Sequence, residues 1–412
     1  MSGNDIIVSL DIGTSKVRAI IGEMNGGSIH IVGVGSSDSE GIRKGAIVDI
    51  DQTVQSIKSA VNHSERMVGV QISDVFVGIS GNHIQLQPSH GVVAVSNEDR
   101  EIGGEDIERV LQAAKVIALP PEREIIGIVP KQYIVDGLEG IQDPRGMIGV
   151  RLEVEAIVIT GAKTSIHNLL RCVERAELKV AGLILTPLAS GHLALSKDEK
   201  NLGTVLVDIG AGATTISIFE NGTIVSTSSL PIGGEFVTND ISIGLRTQFE
   251  HAELIKLKYG CALVADSAAD QKFKVTRIGS NLEKEFSQVD LASIIEPRMQ
   301  EIFELIKAEV KRMKPSGELA GGYVLTGGAV SMPGTLQVAQ AVLDTSVRIA
   351  SPDFIGVREP AYAGGVGLIA YVAKFLRSRG TVSVKGSSGK KSSSADKPGL
   401  IERLKQLFSE FI

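Results

Sequence analysis

One segment of this chain occurs twice, once in each half of the sequence. Its first copy, over residues 8–21, reads VSLDIGTSKVRAII, and its second copy, over residues 205–218, reads VLVDIGAGATTISI. In both copies an Asp-Ile-Gly turn separates two apolar runs, which is the pattern of a β-hairpin. An Asn-Gly turn follows each copy at nearly the same distance, at Asn25 and at Asn221, so a third strand is expected in both. The repeat therefore predicts a duplicated domain.

The length of 412 residues agrees with a duplication, because single domains usually contain about 100–200 residues. A hydrophobic fraction of 43%, a charged fraction of 22% and a net charge of −6 are typical of a soluble globular protein and argue against nucleic acid as a partner. The two cysteines, Cys172 and Cys261, are too widely spaced for a disulfide framework or a cysteine zinc site. No signal peptide or membrane-spanning helix is expected, because no apolar run approaches about 20 residues.

The spacing of apolar residues predicts the elements around the two hairpins. Residues 84–162, which alternate and then show helical spacing, are expected to form a small inserted α+β domain, with separate strands at 124–129 and 132–135. Residues 380–399, rich in Gly, Ser and Lys, are predicted to be a flexible linker. The full predicted division is a first lobe at 1–83, 163–198 and about 360–379, the insertion at 84–162, a second lobe at 199–231 and 311–359, a small subdomain at 232–310, the linker at 380–399, and a terminal helix at 400–412.

The two Asp-Ile-Gly turns have the chemistry of phosphate binding. Glycine allows the backbone to approach a phosphate closely, and Thr, Ser and Lys side chains donate hydrogen bonds to its oxygens. Asp11 and Asp208 are placed to hold Mg²⁺ through water, because Mg²⁺ retains much of its hydration shell. One such turn alone is explained by local turn preference, but two matched copies favour a shared site. The candidates are Asp11, Gly13, Thr14, Ser15 and Lys16 in the first turn, and Asp208, Gly210, Gly212, Ala213, Thr214 and Thr215 in the second.

A third glycine-rich segment, GGYVLTGGAVSMPG over residues 321–334, is an apolar strand that enters a Gly-Gly turn. Its glycines would leave room for a flat base against the backbone, and Gly327, Gly328 and Val330 are the candidates. The alternative is a turn that serves packing alone.

These three segments, in this order, resemble the phosphate and adenosine motifs of the actin, sugar-kinase and heat-shock-chaperone ATPase superfamily. Residues 182–191 and 362–368 resemble its two connecting segments. The resemblance implies an α/β, duplicated, actin-like (ribonuclease-H-like) ATPase fold that binds ATP and Mg²⁺. It also implies that Gly233 and Gly234 contact phosphates and that Glu253 and Lys256 face the ribose. The alternative for Glu253 and Lys256 is a solvated ion pair on one helical face.

The position of the insertion resembles the FtsA family, bacterial division proteins that link FtsZ to the cytoplasmic membrane. Only residues 36–50 separate the third strand from the next helix, and the inserted domain follows later, as in that family. The segments SLDIGTSKV, GIRKGAIVDI, VDIGAGATTISIF, SLPIGGEFVTNDIS and VLTGGA are also similar. The resemblance implies self-assembly into actin-like filaments, contacts with later divisome proteins, and a place on the cytoplasmic face of the membrane at the septum. It further implies that residues 232–310 receive the FtsZ C-terminal tail, with Arg298 as a pairing residue; the alternative is a solvent-facing arginine.

The last residues of the sequence show helical periodicity independently of that resemblance. A helix over 400–412 would place all its large apolar residues on one face, namely Leu400, Ile401, Leu404, Leu407, Phe408, Phe411 and Ile412. At about 1.5 Å per residue it would span about 20 Å, less than the ~30 Å hydrocarbon core, so it is expected to lie in the membrane interface. The alternative is docking on the protein itself or on a partner. The linker's reach of about 25 Å and its lysines favour an anionic membrane.

Thr186 occupies the position at which this superfamily usually carries the residue that orients the attacking water. A threonine is not a general base at neutral pH, so we expect Mg-ATP binding with weak or no hydrolysis, and Asp208 is the one candidate catalytic residue. Two other functions share the hairpins: a sugar or carboxylate kinase, and an FtsA-like pilus-assembly scaffold. Neither needs an amphipathic helix, so residues 400–412 discriminate against both.

Overall fold

The computed structural model describes residues 5–279 and 283–380. The predicted membrane helix at 400–412, and the predicted linker apart from Gly380, lie outside the described residues. Within the described part, no helix has the length and apolar character needed to cross a membrane.

Eleven strands and five helices are described in the first half of the chain. The strands are β1 (Asp5–Ile12), β2 (Lys16–Asn25), β3 (Ser28–Asp38), β4 (Ile42–Arg43), β5 (Ala46–Ile47), β6 (Asp74–Ile79), β7 (Gln85–Ala94), β8 (Arg123–Val135), β9 (Leu138–Ile141), β10 (Arg151–Ala162) and β11 (Lys179–Leu185). The helices are α1 (Ile50–Val68), α2 (Gly104–Ala114), α3 (Lys163–Arg175), α4 (Thr186–Ala194) and α5 (Lys197–Leu202).

The described second half contains seven strands and five helices. The strands are β12 (Thr204–Ile209), β13 (Thr214–Glu220), β14 (Thr223–Leu230), β15 (Lys272–Thr276), β16 (Glu283–Ser287), β17 (Tyr323–Thr326) and β18 (Val347–Ile349). The helices are α6 (Gly234–Leu245), α7 (Phe249–Tyr259), α8 (Gln288–Met313), α9 (Thr335–Leu343) and α10 (Ala363–Gly380).

The duplication predicted from the repeat is confirmed by two five-stranded sheets of the same topology. Their strand orders are β11-β6-β1-β2-β3 and β14-β13-β12-β17-β18. In each sheet three consecutive strands form an antiparallel meander, and the central strand, β1 or β12, also pairs with a parallel strand on its other side. Asp11 and Asp208 lie near the carboxyl ends of these two equivalent central strands. The repeated sequence thus produces the same local structure twice.

The inserted α+β domain is a four-stranded antiparallel sheet in the order β7-β10-β8-β9, with α2 packed on β7 and β10. The prediction of separate strands at 124–129 and 132–135 is wrong, because β8 runs through both. The register against β10 shifts between Glu155 and Ala156, which pair with Gln132 and Pro130, so Lys131 forms a bulge. A bulge is a position at which a strand tolerates proline, which explains why Pro130 does not end β8.

The closing helix α10 packs closely against α4 near the middle of the molecule. A Cβ atom on Gly367 would lie 2.7 Å from the carbonyl oxygen of Ala189, so only glycine allows the two backbones to approach this far. The buried residues Val366, Leu368, Ile369 and Val372 fix α10 in an apolar cluster with β1 and β6 residues. The two segments that resembled the superfamily connectors therefore meet as crossing helices.

Asp106, buried in the inserted domain, provides a test of how this domain is held together. It accepts hydrogen bonds from the backbone N–H groups of Gly103 and Ser96, the Ser96 hydroxyl and the Arg109 guanidinium. Burial alone would raise the pKa of Asp106, but these hydrogen bonds lower it from the usual 3.8 to about 2. Because the folded-state pKa is the lower one, the carboxylate's stabilisation is complete above about pH 4 and is lost as the pH falls toward 2.

We predict that Asp106→Asn destabilises the inserted domain by on the order of 2 kcal/mol at pH 7, and that the difference from wild type shrinks below about pH 4. Hydrogen–deuterium exchange of the α2 peptide measures this effect. The control is Asp99→Asn at an exposed position of the same domain. Equal destabilisation at pH 7 and pH 3 would contradict the assignment to the charged carboxylate.

Candidate functional site

A cleft of about 1060 Å³ lies where the carboxyl ends of the two central strands face each other. Its walls are the two Asp-Ile-Gly turns, the start of α6, one face of α7, the Gly327-Gly328 turn and the beginning of α10. A cavity of this size and polarity, at the carboxyl ends of strands, is a typical position for a ligand in an α/β protein.

The two turns have the same backbone structure. The Gly13 N–H donates to the Lys16 carbonyl at 3.1 Å, and the Gly210 N–H donates to the Ala213 carbonyl at 3.0 Å. The turns also pack against each other, because a Cβ atom on Gly212 would lie 2.7 Å from the Thr14 Cγ2 atom. The two candidate phosphate-binding turns therefore face the same cleft from opposite lobes.

The two aspartates give the cleft its electrostatic character. Burial and the nearby charge of Asp11 together raise the pKa of Asp208 to about 6, against the opposing charge of Arg18. Burial also raises the pKa of Asp11, which Arg18 again lowers. A bound cation would favour the charged form of both carboxyl groups.

The two carboxylates fit a hydrated magnesium ion. No group of three or more His, Cys, Asp or Glu residues that would hold a metal is present in the described part of the chain, so the protein does not supply a full ligand set there. Mg²⁺ commonly takes one or two carboxylates from a protein and completes its octahedron with water and substrate phosphates. The observed pair matches that pattern.

The start of α6 is held against the second turn. The Gly234 N–H donates to the Gly210 carbonyl at 3.0 Å, and the Glu235 N–H donates to the Ala211 carbonyl at 2.9 Å. A Cβ atom on Gly233 would lie 2.4 Å from the Gly210 oxygen, so this approach requires glycine. The amino end of α6 is thereby directed at the cleft, where helix N–H groups favour anions.

Glu253 and Lys256 of α7 form an ion pair of 2.7 Å on the cleft wall, with side chains 34% and 11% exposed. The Lys256 ammonium also donates to the Thr238 hydroxyl at 2.7 Å and to the Gly234 carbonyl at 3.1 Å. The interpretation as a fully solvated pair is therefore wrong. The pair instead braces α7 against α6 at the edge of the cleft.

The third glycine-rich segment places Gly327 directly against the second carboxylate. Gly327 has a φ of +93°, and a Cβ atom there would lie 2.4 Å from Asp208 Oδ1 and 2.5 Å from the Ile209 carbonyl oxygen. At Gly328 the nearest atom to an added Cβ would be the Ala361 Cβ, at 3.8 Å. Position 327 therefore requires glycine, both for its backbone conformation and because a side chain would not fit. At position 328 a methyl group would fit without a clash.

Fourteen of the eighteen candidate cleft residues line the cavity. They are Asp11, Gly13, Thr14, Ser15, Lys16, Asp208, Gly210, Ala213, Thr215, Gly234, Glu253, Lys256, Gly327 and Gly328. Gly212, Thr214, Gly233 and Val330 do not line it. Thr214 is fully buried and its hydroxyl donates to the Ile232 carbonyl at 2.7 Å, and Val330 is packed in the core of the second lobe, so neither side chain faces the cleft.

Several lining residues were not predicted from the sequence. The β4–β5 hairpin contributes Lys44 and Gly45, whose N–H donates to the Thr14 hydroxyl at 3.1 Å. The loop 80–83 after β6, Arg18 and Tyr362 also line the cleft, and the Arg18 guanidinium lies 5.1 Å from the Tyr362 ring centroid. The segment GIRKGAIVDI, noted as a family resemblance, was the one signal that pointed to the β4–β5 hairpin.

The structure places Thr186 at the cleft and pairs Arg298 with acidic side chains. Thr186 begins α4 and borders the cleft beside Asp11, because a Cβ atom on Gly364 would lie 3.3 Å from both side chains. Arg298 is not a simple solvent-facing arginine. Its guanidinium binds both Asp240 carboxylate oxygens, at 2.5 and 3.1 Å, and also pairs with Glu301. An acidic peptide would have to compete with these two carboxylates.

Comparison with known proteins identifies the family to which this architecture corresponds. The family model described as "Cell division protein FtsA" matches residues 205–367, and "SHS2 domain inserted in FTSA" matches residues 81–160. A cell division protein FtsA of Bacillus subtilis (strain 168) is 52% identical over 380 residues, which are 92% of this chain and 86% of that protein. A Pseudomonas aeruginosa FtsA is 42% identical over 407 residues, 97% of each chain. The chain belongs to the FtsA family.

Solved structures with a similar fold are actin-like proteins of low sequence identity. A PilM-PilN type IV pilus biogenesis complex matches with a TM-score of 0.61 at 16% identity, covering 89% of this chain and 98% of that one. MreB 5 of Spiroplasma citri bound to AMPPNP matches with a TM-score of 0.55 at 13% identity, covering 92% and 99%. The expected actin-like fold with an inserted domain is confirmed for this FtsA-family chain.

The two neighbouring glycines provide a matched test of the site geometry. We predict that Gly327→Ala lowers the midpoint of thermal unfolding by on the order of 5 °C or more, because the methyl group meets Asp208 and the backbone is strained at positive φ. Gly328→Ala should change the midpoint little. Differential scanning calorimetry of both variants measures this, and equal midpoints would show that the close approach of Gly327 to Asp208 is not a constraint.

Proposed function

We propose that this FtsA-family protein is an ATP-binding adaptor of cell division that tethers FtsZ to the inner face of the cytoplasmic membrane and assembles into actin-like filaments. The observation that carries the nucleotide part is the opposition of two equivalent turns, each with a half-buried aspartate of raised pKa, across one cleft. Belonging to a family of cell division proteins supports the rest.

ATP and Mg²⁺ fit the cleft in charge and in donor groups. Backbone N–H groups of the two turns and of the α6 amino end, together with the Thr14, Ser15, Lys16 and Thr215 side chains, would hold phosphates. Asp11 and Asp208 would hold the magnesium ion, which neutralises phosphate charge when bound. The MreB structures bound to ADP and AMPPNP show that a protein of this fold accepts such ligands.

The cleft is poorly equipped for rapid hydrolysis. Thr186 lies beside Asp11, where a water-orienting group would act, and its hydroxyl is not a base at neutral pH. Asp208 is the remaining candidate, so the proposal includes weak or no ATPase activity. A steady turnover well above one per minute that Asp208→Asn abolished without loss of ATP binding would contradict it.

We predict that Asp208→Asn removes most of the gain in ATP affinity that Mg²⁺ provides, because the cation loses one of its two carboxylates. The ATP affinity measured in Mg²⁺ should fall by roughly ten-fold or more. Calorimetric titrations of ATP in Mg²⁺ and in EDTA measure this contribution. The control is Asp344→Asn. Asp344 is an exposed residue at the end of α9, and its φ of 54° is a backbone conformation that asparagine adopts readily. An unchanged Mg²⁺ effect in Asp208→Asn would exclude the residue from the cation site.

The membrane part of the proposal depends on the sequence after α10. Residues 400–412 would bind as one short amphipathic helix, which is a weak and reversible anchor. Several anchors joined in one filament would raise their effective concentration at the surface. We therefore propose that self-assembly strengthens membrane binding, and a monomeric variant that bound vesicles as tightly as wild type would contradict this.

The small subdomain built from α6, α7, α8 and the β15–β16 hairpin is the proposed receiver of the FtsZ C-terminal tail. Arg298 of α8 would release the Asp240 carboxylate and bind an acidic group of that peptide in its place. The inserted domain is the proposed contact for the next subunit or for later divisome proteins.

We predict that deleting residues 400–412 abolishes co-sedimentation of FtsZ with lipid vesicles while leaving the FtsZ interaction in solution intact. A chain in which Leu404 and Phe408 are replaced by serine should behave as the deletion does, because the apolar face is lost without shortening the chain. Arg298→Gln should instead weaken FtsZ capture and leave vesicle binding unchanged. Recruitment of FtsZ to vesicles by the truncated chain would contradict the tether.

A further inference from the structure

A cluster of basic side chains, contributed by α4, α5 and α10, has none of the roles assigned above. It consists of His192 on α4, Lys200 on α5 and Lys374 on α10, and we call it the hinge-helix basic cluster. The His192 ring meets the Tyr371 ring edge-on, with centroids 6.0 Å apart. Lys374 lies one helical turn after Tyr371 on α10, so it is on the face of α10 that meets α4.

The two lysines of the cluster have no anionic partner of their own. Neither ammonium takes part in an ion pair or side-chain hydrogen bond within residues 5–279 and 283–380. The acidic residue that acts on Lys200 is Glu199, and its carboxylate is already bound by Arg348, at 2.7 and 2.8 Å, and by the Ser196 N–H at 2.7 Å. Lys200 is half-buried and Lys374 is exposed, so the cluster is open to a ligand.

The basic groups act on one another electrostatically. Burial and the charge of Lys374 together lower the pKa of Lys200 to about 8, against the opposing charge of Glu199. Burial, Lys374 and Lys200 lower the pKa of His192 to about 4, so its imidazole is neutral and offers one N–H donor. Like charges held together without a counter-ion are stabilised by an anion. The arrangement of two ammonium groups and one N–H donor suits phosphate oxygens.

The position of the cluster indicates where that phosphate comes from. Lys374 lies about 9 Å along α10 from its end at Gly380, at the helical rise of about 1.5 Å per residue. The sequence that follows Lys374 is basic, with Arg377, Arg379, Lys385, Lys390, Lys391 and Lys397 against the single Asp396 before residue 400. The proposed membrane anchor begins at Leu400, twenty residues after Gly380, so α10 is the described helix that lies nearest to it along the chain.

We propose that His192, Lys200 and Lys374 form a binding site for the phosphate head group of an anionic lipid, which seats the folded body on the membrane beside its anchor. This proposal rests on the proposed tether function. It adds a second membrane contact with a fixed orientation, because a head group bound between α4, α5 and α10 defines which side of the molecule faces the bilayer. A short amphipathic helix on a flexible tether cannot impose such an orientation.

The test uses the full chain with vesicles of phosphatidylglycerol mixed into phosphatidylcholine, and with phosphatidylcholine alone. Lys200→Gln combined with Lys374→Gln is expected to lower the partition coefficient onto the anionic vesicles by roughly five-fold per lysine, and to leave binding to neutral vesicles unchanged. The matched control is Lys131→Gln with Lys311→Gln, which removes the same charge from exposed positions elsewhere. Lys200→Arg with Lys374→Arg should keep the affinity, since the charges remain.

The outcomes separate this site from the tether itself. Unchanged binding of the double Gln variant, or an equal loss in the control variant, would overturn the head-group site while leaving the tether intact. Protection of Lys200 from acetylation by millimolar inorganic phosphate, with none by anionic vesicles, would assign the cluster to a free anion and also overturn it. Failure of the wild-type chain to bind any vesicle would instead contradict the tether function.

Discussion

The rest of the site depends on the unfavourable proximity of two half-buried carboxyl groups. Asp11 and Asp208 come from equivalent strands of two equivalent sheets, and the charge of Asp11 raises the pKa of the Asp208 carboxyl. A cation bound between them would offset the repulsion of their charged forms. The cation would in turn attract phosphates to the backbone N–H groups around it. Because the two carboxylates belong to different lobes, a cation bound between them would contact both lobes.

Close backbone approach is the second condition for this cleft, and glycine supplies it at points where a methyl group would not fit. Gly233 rests on the second turn, Gly327 rests on Asp208, and Gly367 lets α10 cross α4. At these positions the atoms that an added Cβ would meet are largely backbone atoms and a cleft carboxylate, which cannot move aside as a flexible side chain can. Each of these three close approaches therefore requires glycine.

The sequence was most informative where structure is local. Both hairpins, their turns and the long helices follow from apolar periodicity, and the duplication alone predicts that Asp11 and Asp208 occupy equivalent positions. Errors arose where the direction of one side chain decides its role. Thr214 and Thr215 are neighbours on β13, so strand alternation turns one toward the core and the other toward the cleft. Val330 enters the core from a short 3₁₀ turn that has no such periodicity. The loop 80–83 and the β4–β5 hairpin reach the cleft only through tertiary packing, for which no local pattern exists.

Helix α10 connects the cleft with the proposed membrane contact. Its first residues include Gly364 and Gly365, whose added Cβ atoms would lie 3.3 Å from the Asp11 Oδ2 atom and 3.6 Å from the Asp11 Cβ atom. Its last turns carry Lys374 and lead into the basic sequence that precedes the proposed anchor. Eighteen helical residues extend about 27 Å. In the proposed function, a displacement of α10 at Asp11 on filling the cleft would shift the other end of the helix, which leads to the proposed anchor. In a filament, where neighbouring subunits fix one another, the same shift would be imposed on many anchors together.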